Sequence, residues 1–301
     1  MSYLRTMGHL LKNKNIEIKI DFPLENYNFS RFDWTGKIVA VKFKGIPLAS
    51  VEDPNCKNEN LFGKGFYNEF GIDTALGFEE TNIGEWFHKI GVGLLKKEDA
   101  NYAFHKPYAI KPAAFSTIAK ANSLIINCRS AKVNGYSYEL RKEIELQEAG
   151  FTINYHLNNT GEKAIHTTEY NHNFTAINND LIGANYVLNF PFKLKQHLFG
   201  ETVNPKSAVI IGPNAFNFNS MPTEPFFFSH LSGGERVKSA WELIHLRTKV
   251  GIRENSNFTT DKINLWGCKH VVSPEVFFDI NMGPGASTEW TRKYELFQVY
   301  R

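Results

Sequence analysis

Residues 165–177, IHTTEYNHNFTAI, decide the fold class that we expect for this chain. On a β-strand, successive side chains point to opposite faces. Tyr170, His172 and Phe174 would therefore share one face, and the two asparagines between them the other. A histidine between two aromatic residues is either a half-buried group in a polar cleft or a satisfied core residue. By itself, this stretch favours the core residue.

The segment before this stretch predicts its partner strand. Residues 151–157, FTINYHL, alternate apolar and polar side chains, as a half-buried strand does. Residues 158–161, NNTG, form a turn signal, and the chain re-enters at Lys163. Two strands joined by such a turn predict a β-hairpin.

Similar apolar patterns recur on both sides of this hairpin. They predict strands at 15–22, 37–44, 123–128, 136–147, 186–190, 208–211, 240–250, 262–266, 275–280 and 288–300. Helix patterns are scarce, and residues 116–122 predict only a short helical turn. Many strands at short spacing predict an all-β protein, a large antiparallel β-sandwich with few short helices. Since no break in composition marks a linker, we expect one domain over residues 1–301.

Seven glycines crowd residues 62–93. The stretch contains neither a GxGxxG nor a Walker pattern with a following helix, so a nucleotide-phosphate loop is not indicated. Glycines mixed with large aromatic residues predict a long surface excursion. Such an excursion is either functional or simply an irregular connection.

Composition limits the partners that we expect. The chain has 301 residues, 42% of them hydrophobic, and its formal net charge is only +3. This charge gives no electrostatic case for binding nucleic acid. No apolar stretch reaches the ~18 residues of a membrane span, and no signal-peptide pattern is present, so we expect no membrane partner and a cytoplasmic location. We leave open whether the protein is a monomer or a homodimer.

The three cysteines, Cys56, Cys128 and Cys268, lie far apart in the sequence, and none forms a CxxC pair. Such isolated cysteines are typical of ordinary reduced thiols rather than of a disulfide or a metal site. We therefore expect no metal.

Three separated segments together resemble the aldose 1-epimerase, or galactose mutarotase-like, superfamily. Residues 171–174, NHNF, resemble the family's Asn-His element on a central strand. Residues 283–292, GPGASTEWTR, resemble its closing Pro-Gly turn and last strand. Upstream of that turn, residues 266–277 place Glu275 where the family has a catalytic glutamate. Residues 30–36, SRFDWTG, and 88–93, HKIGVG, resemble a less-studied branch of the superfamily.

This resemblance implies the supersandwich form of the fold. It also implies an enzyme that interconverts the α and β anomers of a free or phosphorylated hexose. A base removes the proton of the C1 hydroxyl while an acid protonates the ring oxygen. His172 matches the acid and Glu275 the base, placed on opposite sides of one sugar. This chemistry requires no metal and no cofactor.

Five further residues are candidates for binding the sugar or sugar phosphate: Arg31, Lys89, His105, Asn171 and Trp266. Arg31 is either half of a surface pair with Asp33 or an anchor for hydroxyl or phosphate groups. A phosphate would need two converging cations, for which Arg31 and Lys89 are the available pair.

Other residues have alternative interpretations as well. His105 is the candidate for the second histidine of the family, whose usual sequence element is absent from the first half of the chain. Trp266 either offers a stacking face to a sugar or packs in the core. Glu169 and Asp180, which flank the His172 segment, are expected in a solvated loop or at a strand edge.

Two other functions remain possible on the same fold. One is a non-catalytic carbohydrate-binding protein, and the other is a sandwich domain of a polysaccharide-processing enzyme. Fold alone does not separate these functions. The presence of both His172 and Glu275 favours the enzyme.

Overall fold

The computed structural model describes residues 8–58 and 61–299. Within these ranges the strands are β1 (His9–Lys12), β2 (Ile16–Asp21), β3 (Lys37–Phe43), β4 (Ile46–Pro47), β5 (Phe66–Phe70), β6 (Trp86–Lys89), β7 (Gly93–Lys96), β8 (Ile110–Pro112), β9 (Ala114–Ala119), β10 (Ser123–Arg129), β11 (Tyr138–Gln147), β12 (Gly150–Asn159), β13 (Ile165–Asn173), β14 (Tyr186–Asn189), β15 (Thr202–Val203), β16 (Val209–Ile211), β17 (Ala215–Phe218), β18 (Phe226–Phe228), β19 (Val237–His245), β20 (Val250–Thr260), β21 (Ile263–Cys268), β22 (Val271–Met282) and β23 (Ser287–Gln298). Two single 3-10 turns, Gln196–Leu198 and Pro205–Ser207, are the helical elements described. Residues 1–7, 59–60 and 300–301, which the expectations above included, lie outside the described residues.

Two large antiparallel sheets make up most of the structure. The first runs β1-β2-β3-β5-β13-β22-β21-β18-β15, with β4 beside β3, and the second runs β16-β17-β14-β19-β20-β23-β12-β11-β10-β9. A small third sheet has the order β6-β7-β8. The predicted all-β antiparallel sandwich is confirmed.

The core lies between the two large sheets because apolar side chains alternate along their strands. Ile16, Ile18 and Ile20 of β2 are fully buried, and they belong to the same hydrophobic cluster as the inward-facing residues of β11 and β12. Phe66 of β5 and Tyr294 of β23 meet edge to face across the interface, with ring centroids 5.2 Å apart. Burying such aromatic and aliphatic side chains is the main favourable term in folding.

The predicted hairpin of residues 151–157 with the opening stretch is wrong. β12 pairs with β11 and β23 in the second sheet, whereas β13 pairs with β5 and β22 in the first. The turn between β12 and β13 therefore carries the chain from one sheet to the other. Asn159 fixes this crossing, since its buried amide donates to the carbonyls of Lys163 (2.8 Å) and Gly283 (3.0 Å).

Three local predictions also need correction. Residues 116–122 contain no helical turn, because most of them belong to the edge strand β9. Residues 240–250 are not one strand, because a turn after His245 separates β19 from β20. The glycine-rich stretch is not one long surface excursion, since it contains β5, all five residues of which are buried in the middle of the first sheet.

Several of those glycines serve turns around buried strands rather than an exposed loop. Gly65 shows the reason, because its φ is +63° and a β-carbon there would stand 2.1 Å from the carbonyl oxygen of Ile38. Only glycine allows the chain to approach β3 so closely before β5 begins. In the described part of the chain, no helix has the length and apolar character that crossing a membrane requires.

Candidate active site

His172 and Glu275 are neighbours across two adjacent strands of the first sheet. The antiparallel register of β13 and β22 pairs Tyr170 with Phe277. Two residues further along each strand, the same register puts His172 opposite Glu275, on the same face of the sheet. The imidazole Nε2 lies 3.4 Å from the carboxylate Oε1.

Hydrogen bonds from Asn173 hold these two strands together at Pro274, where the regular ladder stops. A proline has no N–H group to donate to a neighbouring strand. Instead, the Asn173 amide donates to the Pro274 carbonyl (2.7 Å), and the Asn173 backbone N–H donates to the Ser273 hydroxyl (3.0 Å). These two side-chain bonds fix the register beside the pair.

The pair is at the bottom of a cleft of about 340 Å³ on the outer face of the first sheet. The side chains of His172 and Glu275 are only 3% and 6% exposed. Small-molecule sites typically enclose about 300–1,000 Å³. The cleft therefore has room for a ligand of about one sugar ring.

Aromatic packing holds the His172 ring in one orientation. The imidazole stacks on Phe174, with ring centroids 4.0 Å apart and an interplanar angle of 11°. The ring of Trp266 meets it edge to face at 5.2 Å, and that of Phe32 at 6.0 Å. Trp266 is half-buried and lines the cleft.

Arg31 forms part of the cleft wall. Its Nε donates to Glu69 (3.0 Å) and its Nη1 to Glu52 (3.2 Å). Its guanidinium carbon lies over the rings of Phe32 (4.4 Å) and Phe104 (4.6 Å). The surface pair of Arg31 with Asp33 is not formed, because Asp33 is buried against Lys142 instead.

Three candidate residues lie outside the cleft lining. Lys89 is buried behind Glu69, where its ammonium donates to that carboxylate (3.2 Å) and to the Tyr102 hydroxyl (2.9 Å). Asn171 faces the space between the sheets and donates to the Tyr294 hydroxyl (2.7 Å). His105 is exposed beside Phe104 and does not reach the cleft.

Comparison with known proteins identifies the fold. The sequence matches no protein-family model and no curated protein. Among solved structures, the Slr1438 protein from Synechocystis sp. PCC 6803 has a TM-score of 0.61 at 12% sequence identity, over 99% of this chain and 99% of that chain. The galactose mutarotase related enzyme from Lactobacillus acidophilus has a TM-score of 0.61 at 12% identity, over 98% and 100%. A galactose mutarotase-like protein from Lactobacillus casei ATCC 334 has a TM-score of 0.57 at 11% identity, over 96% and 99%.

The chain has the galactose mutarotase-like fold. The resemblance seen in three separated segments of the sequence is thereby confirmed at the level of the fold. In this fold, the strands that carry the Asn-His element and Glu275 are adjacent in one sheet.

Sequence reasoning missed several residues of the site. Asn264 pairs with Glu275 in the register of β21 with β22, and Lys262 lines the cleft just before β21 begins. Glu52 and Glu69 hold Arg31 from two different parts of the chain. Only strand register could have predicted one of these residues. A strand that pairs with the strand of Glu275 must place a residue opposite it, and here that residue is Asn264.

Burial and neighbouring charges set the protonation of the pair. Burial, followed by the negative charge of Glu69, raises the pKa of Glu275 to about 8, against the opposing effects of Arg31 and Asn264. Burial, followed by the positive charge of Arg31, holds the pKa of His172 well below its ordinary value. The buried Nδ1 of His172 has no hydrogen-bond partner among the described residues, so no acceptor there stabilises an imidazolium. At neutral pH the pair therefore holds one proton.

The opposite face of β13 carries a buried ionic cluster. Arg292 donates to Glu169 and to Glu254, each at 2.7 Å, and all three side chains are fully buried. The Trp290 indole also donates to Glu169 (2.9 Å). The expectation of a solvated Glu169 is wrong, because this residue lies on the same face of β13 as Asn171, between the sheets.

The described residues contain no group of three or more His, Cys, Asp or Glu side chains that could hold a metal ion.

Proposed function

We propose that this chain is an aldose 1-epimerase, which interconverts the α and β anomers of a hexose by opening and closing the sugar ring. The observation that carries the proposal is the contact of His172 with Glu275 at the bottom of a sugar-sized cleft. The name of one fold neighbour, a galactose mutarotase related enzyme, supports the same reaction class.

The proposed acid and base stand side by side instead of on opposite sides of the sugar. Ring opening moves two protons, one from the C1 hydroxyl and one to the ring oxygen. Both oxygens are bonded to C1, so two adjacent groups on one side of the ring can serve them. The 3.4 Å separation of His172 and Glu275 suits such a pair.

One proton shared by the pair balances the reaction. When His172 carries it, the imidazolium donates to the ring oxygen, the Glu275 carboxylate accepts from the C1 hydroxyl, and the C1–O bond of the ring breaks. The pair then consists of neutral His172 and protonated Glu275. Ring closure after rotation about C1–C2 runs the transfers in reverse and restores the first form. Before a sugar binds, the pKa directions place the proton on Glu275. From that form, the two residues exchange roles.

Arg31 and Trp266 are the proposed sugar-binding residues in the cleft lining. The Arg31 guanidinium has five N–H groups, three of which are directed to Glu69, Glu52 and Tyr170, so the other two can donate to sugar hydroxyl groups. Trp266 presents an aromatic surface on which an apolar face of a pyranose can pack.

The test follows the anomers of fresh α-glucose and α-galactose by NMR with and without purified protein. We expect the protein to accelerate exchange of at least one sugar, and His172→Ala and Glu275→Ala each to lower the excess rate by about 10²-fold or more. His166→Ala, an exposed histidine on the same strand, and Glu162→Ala are the matched controls and should keep the rate. If no hexose exchanges faster than in buffer, the enzyme proposal fails. Sugar binding without such exchange would indicate a carbohydrate-binding protein.

A further inference from the structure

The charges that line the cleft are already balanced by the protein. Of the described lining residues, Arg31 and Lys262 are cationic, and Glu52, Asp73 and Glu275 are acidic. Arg31 is paired with Glu52 at 3.2 Å, and Lys262 with Asp73 at 2.7 Å. The cleft therefore has no excess positive charge.

A second carboxylate, that of the buried Glu69, also neutralises Arg31. Glu69 is fully buried and accepts from its Nε at 3.0 Å. Lys89, which the sequence suggested as a second cation for a phosphate, forms an ion pair with the same carboxylate and does not line the cleft. Each guanidinium nitrogen of Arg31 thus already has a protein partner, with Nη2 directed to the Tyr170 hydroxyl at 3.5 Å.

We propose that Glu52 and Asp73 are specificity-determining residues that exclude anionic sugars, so that the cleft accepts an uncharged aldose and rejects its phosphate ester. The choice of a sugar rests on the proposed function, whereas the exclusion of anions does not. A phosphate monoester carries about −1.5 to −2 charges at neutral pH. To bind here, it would have to approach two carboxylates while displacing them from the only cations that line the described cleft, and like charges brought together in this way oppose binding strongly.

The first test compares one sugar with its own phosphate. Binding of galactose or glucose and of the matching 6-phosphate is measured by ligand-detected NMR titration. We expect the wild type to bind the phosphate about tenfold more weakly or worse. Equal or tighter binding of the phosphate would overturn the proposal.

The second test removes the two carboxylates. In the double variant Glu52→Gln/Asp73→Asn, the ratio of phosphate affinity to sugar affinity should rise about tenfold, because Arg31 and Lys262 lose their counter-charges. The matched control Glu162→Gln/Glu289→Gln removes the same charge from residues that are 73% and 75% exposed and outside the cleft lining. An unchanged ratio in the cleft variant, or an equal rise in the control, would contradict the assignment.

A third measurement does not depend on sugar binding or on activity. Inorganic phosphate is titrated into protein with ¹⁵N-labelled arginine, and the Nε–H signal of Arg31 is followed. Millimolar phosphate should leave this signal unchanged in the wild type and shift it in Glu52→Gln/Asp73→Asn. A saturable shift in the wild type would overturn the exclusion of anions. If these results hold but no sugar is turned over, the proposed function fails and the charge selectivity stands.

Discussion

At the scale of single residues, the His172–Glu275 pair connects fold stability to protonation. Glu275 has a pKa of about 8 in the folded protein and an ordinary value of 4.5. Between these two pH values the folded state binds a proton that the unfolded state has released, so the free energy of unfolding decreases as pH rises through this window.

Glu275→Gln should remove this decrease in the free energy of unfolding with rising pH. We expect the variant to gain stability relative to wild type as pH rises from 5 to 8, by about 2 kcal/mol or more, since one pKa unit corresponds to about 1.4 kcal/mol. Urea unfolding at several pH values measures the difference. A constant difference across this range would mean that Glu275 titrates normally in the folded protein.

The same pair predicts the pH dependence of the proposed reaction. The value of kcat/KM reports the protonation of the free enzyme. It should stay level from pH 6.5 to about 7.5 and fall above about pH 8, where Glu275 loses the shared proton. On the acid side no loss is expected until well below pH 6.5, because the pKa of His172 is lowered. A rate that declines between pH 7 and 6 would contradict the protonation state assigned to His172.

Removal of the buried Arg292 should cost much more stability than removal of an exposed arginine. Arg292→Met would leave the buried carboxylates of Glu169 and Glu254 without their shared cation. Breaking a buried ion pair from one side typically costs about 3–5 kcal/mol. Arg253→Met is the matched control, since this arginine is 43% exposed in its pairs with Glu242 and Glu295 and should cost about 1 kcal/mol or less. If chemical denaturation gave similar losses of stability for both variants, the buried cluster would contribute no more to stability than an exposed ion pair.

At the scale of elements, the turn between β12 and β13 joins the two sheets. The Asn159 amide donates to carbonyls of this turn and of the turn after β22, and its own oxygen accepts from the Gly161 N–H (3.0 Å). Asn159→Ala would remove these three part-buried hydrogen bonds, which should cost about 2–3 kcal/mol in total at roughly 1 kcal/mol each. Asn158→Ala, at the neighbouring half-buried position, should change stability by about 0.5 kcal/mol or less. Thermal or urea unfolding of the two variants tests this contrast.

How far the sequence predicts these elements depends on whether the signal is local. The two faces of β13 follow from alternation, and the structure has His172 on one face and Asn171 on the other. Alternation does not reveal which face carries the cleft, so Asn171 could be assigned to sugar binding although it lies between the sheets. Sheet order is also non-local: β13 touches β5 and β22, each about 100 residues away in the chain. The hairpin prediction failed for this reason.

The candidate site shows the same difference between local and non-local sequence signals. The resemblance to a known family suggested His172 and Glu275 as candidates, but it gave no information about their surroundings. Glu52, Glu69 and Lys262 come from separate loops and strands, and no spacing in the sequence connects them with Arg31. Lys89 was a reasonable cation for a phosphate until the fold placed it behind Glu69.

At the scale of the whole molecule, the three cysteines report the integrity of the sandwich. All are free thiols; Cys128 and Cys268 are buried, and burial raises the pKa of both, whereas Cys56 is partly exposed. A thiol reagent should therefore label one cysteine per native chain and all three after denaturation, because reaction requires an accessible thiolate. Mass spectrometry of the labelled protein identifies the sites. Rapid native labelling of Cys128 would mean that the second sheet opens locally.

The position of β13 between β5 and β22 also has a consequence for biosynthesis. Strands β9 to β12 are sequential neighbours, so they can pair as soon as the ribosome has released them. β13 leaves the ribosome with only β5 available, and its other edge must wait for β22, about 100 residues later. At about 5–20 residues per second, a strand edge with unpaired backbone N–H and C=O groups stays open for roughly 5–20 s. Co-translational aggregation and chaperone binding should therefore concentrate on nascent chains that end between β13 and β22, before the two halves of the proposed catalytic pair have met.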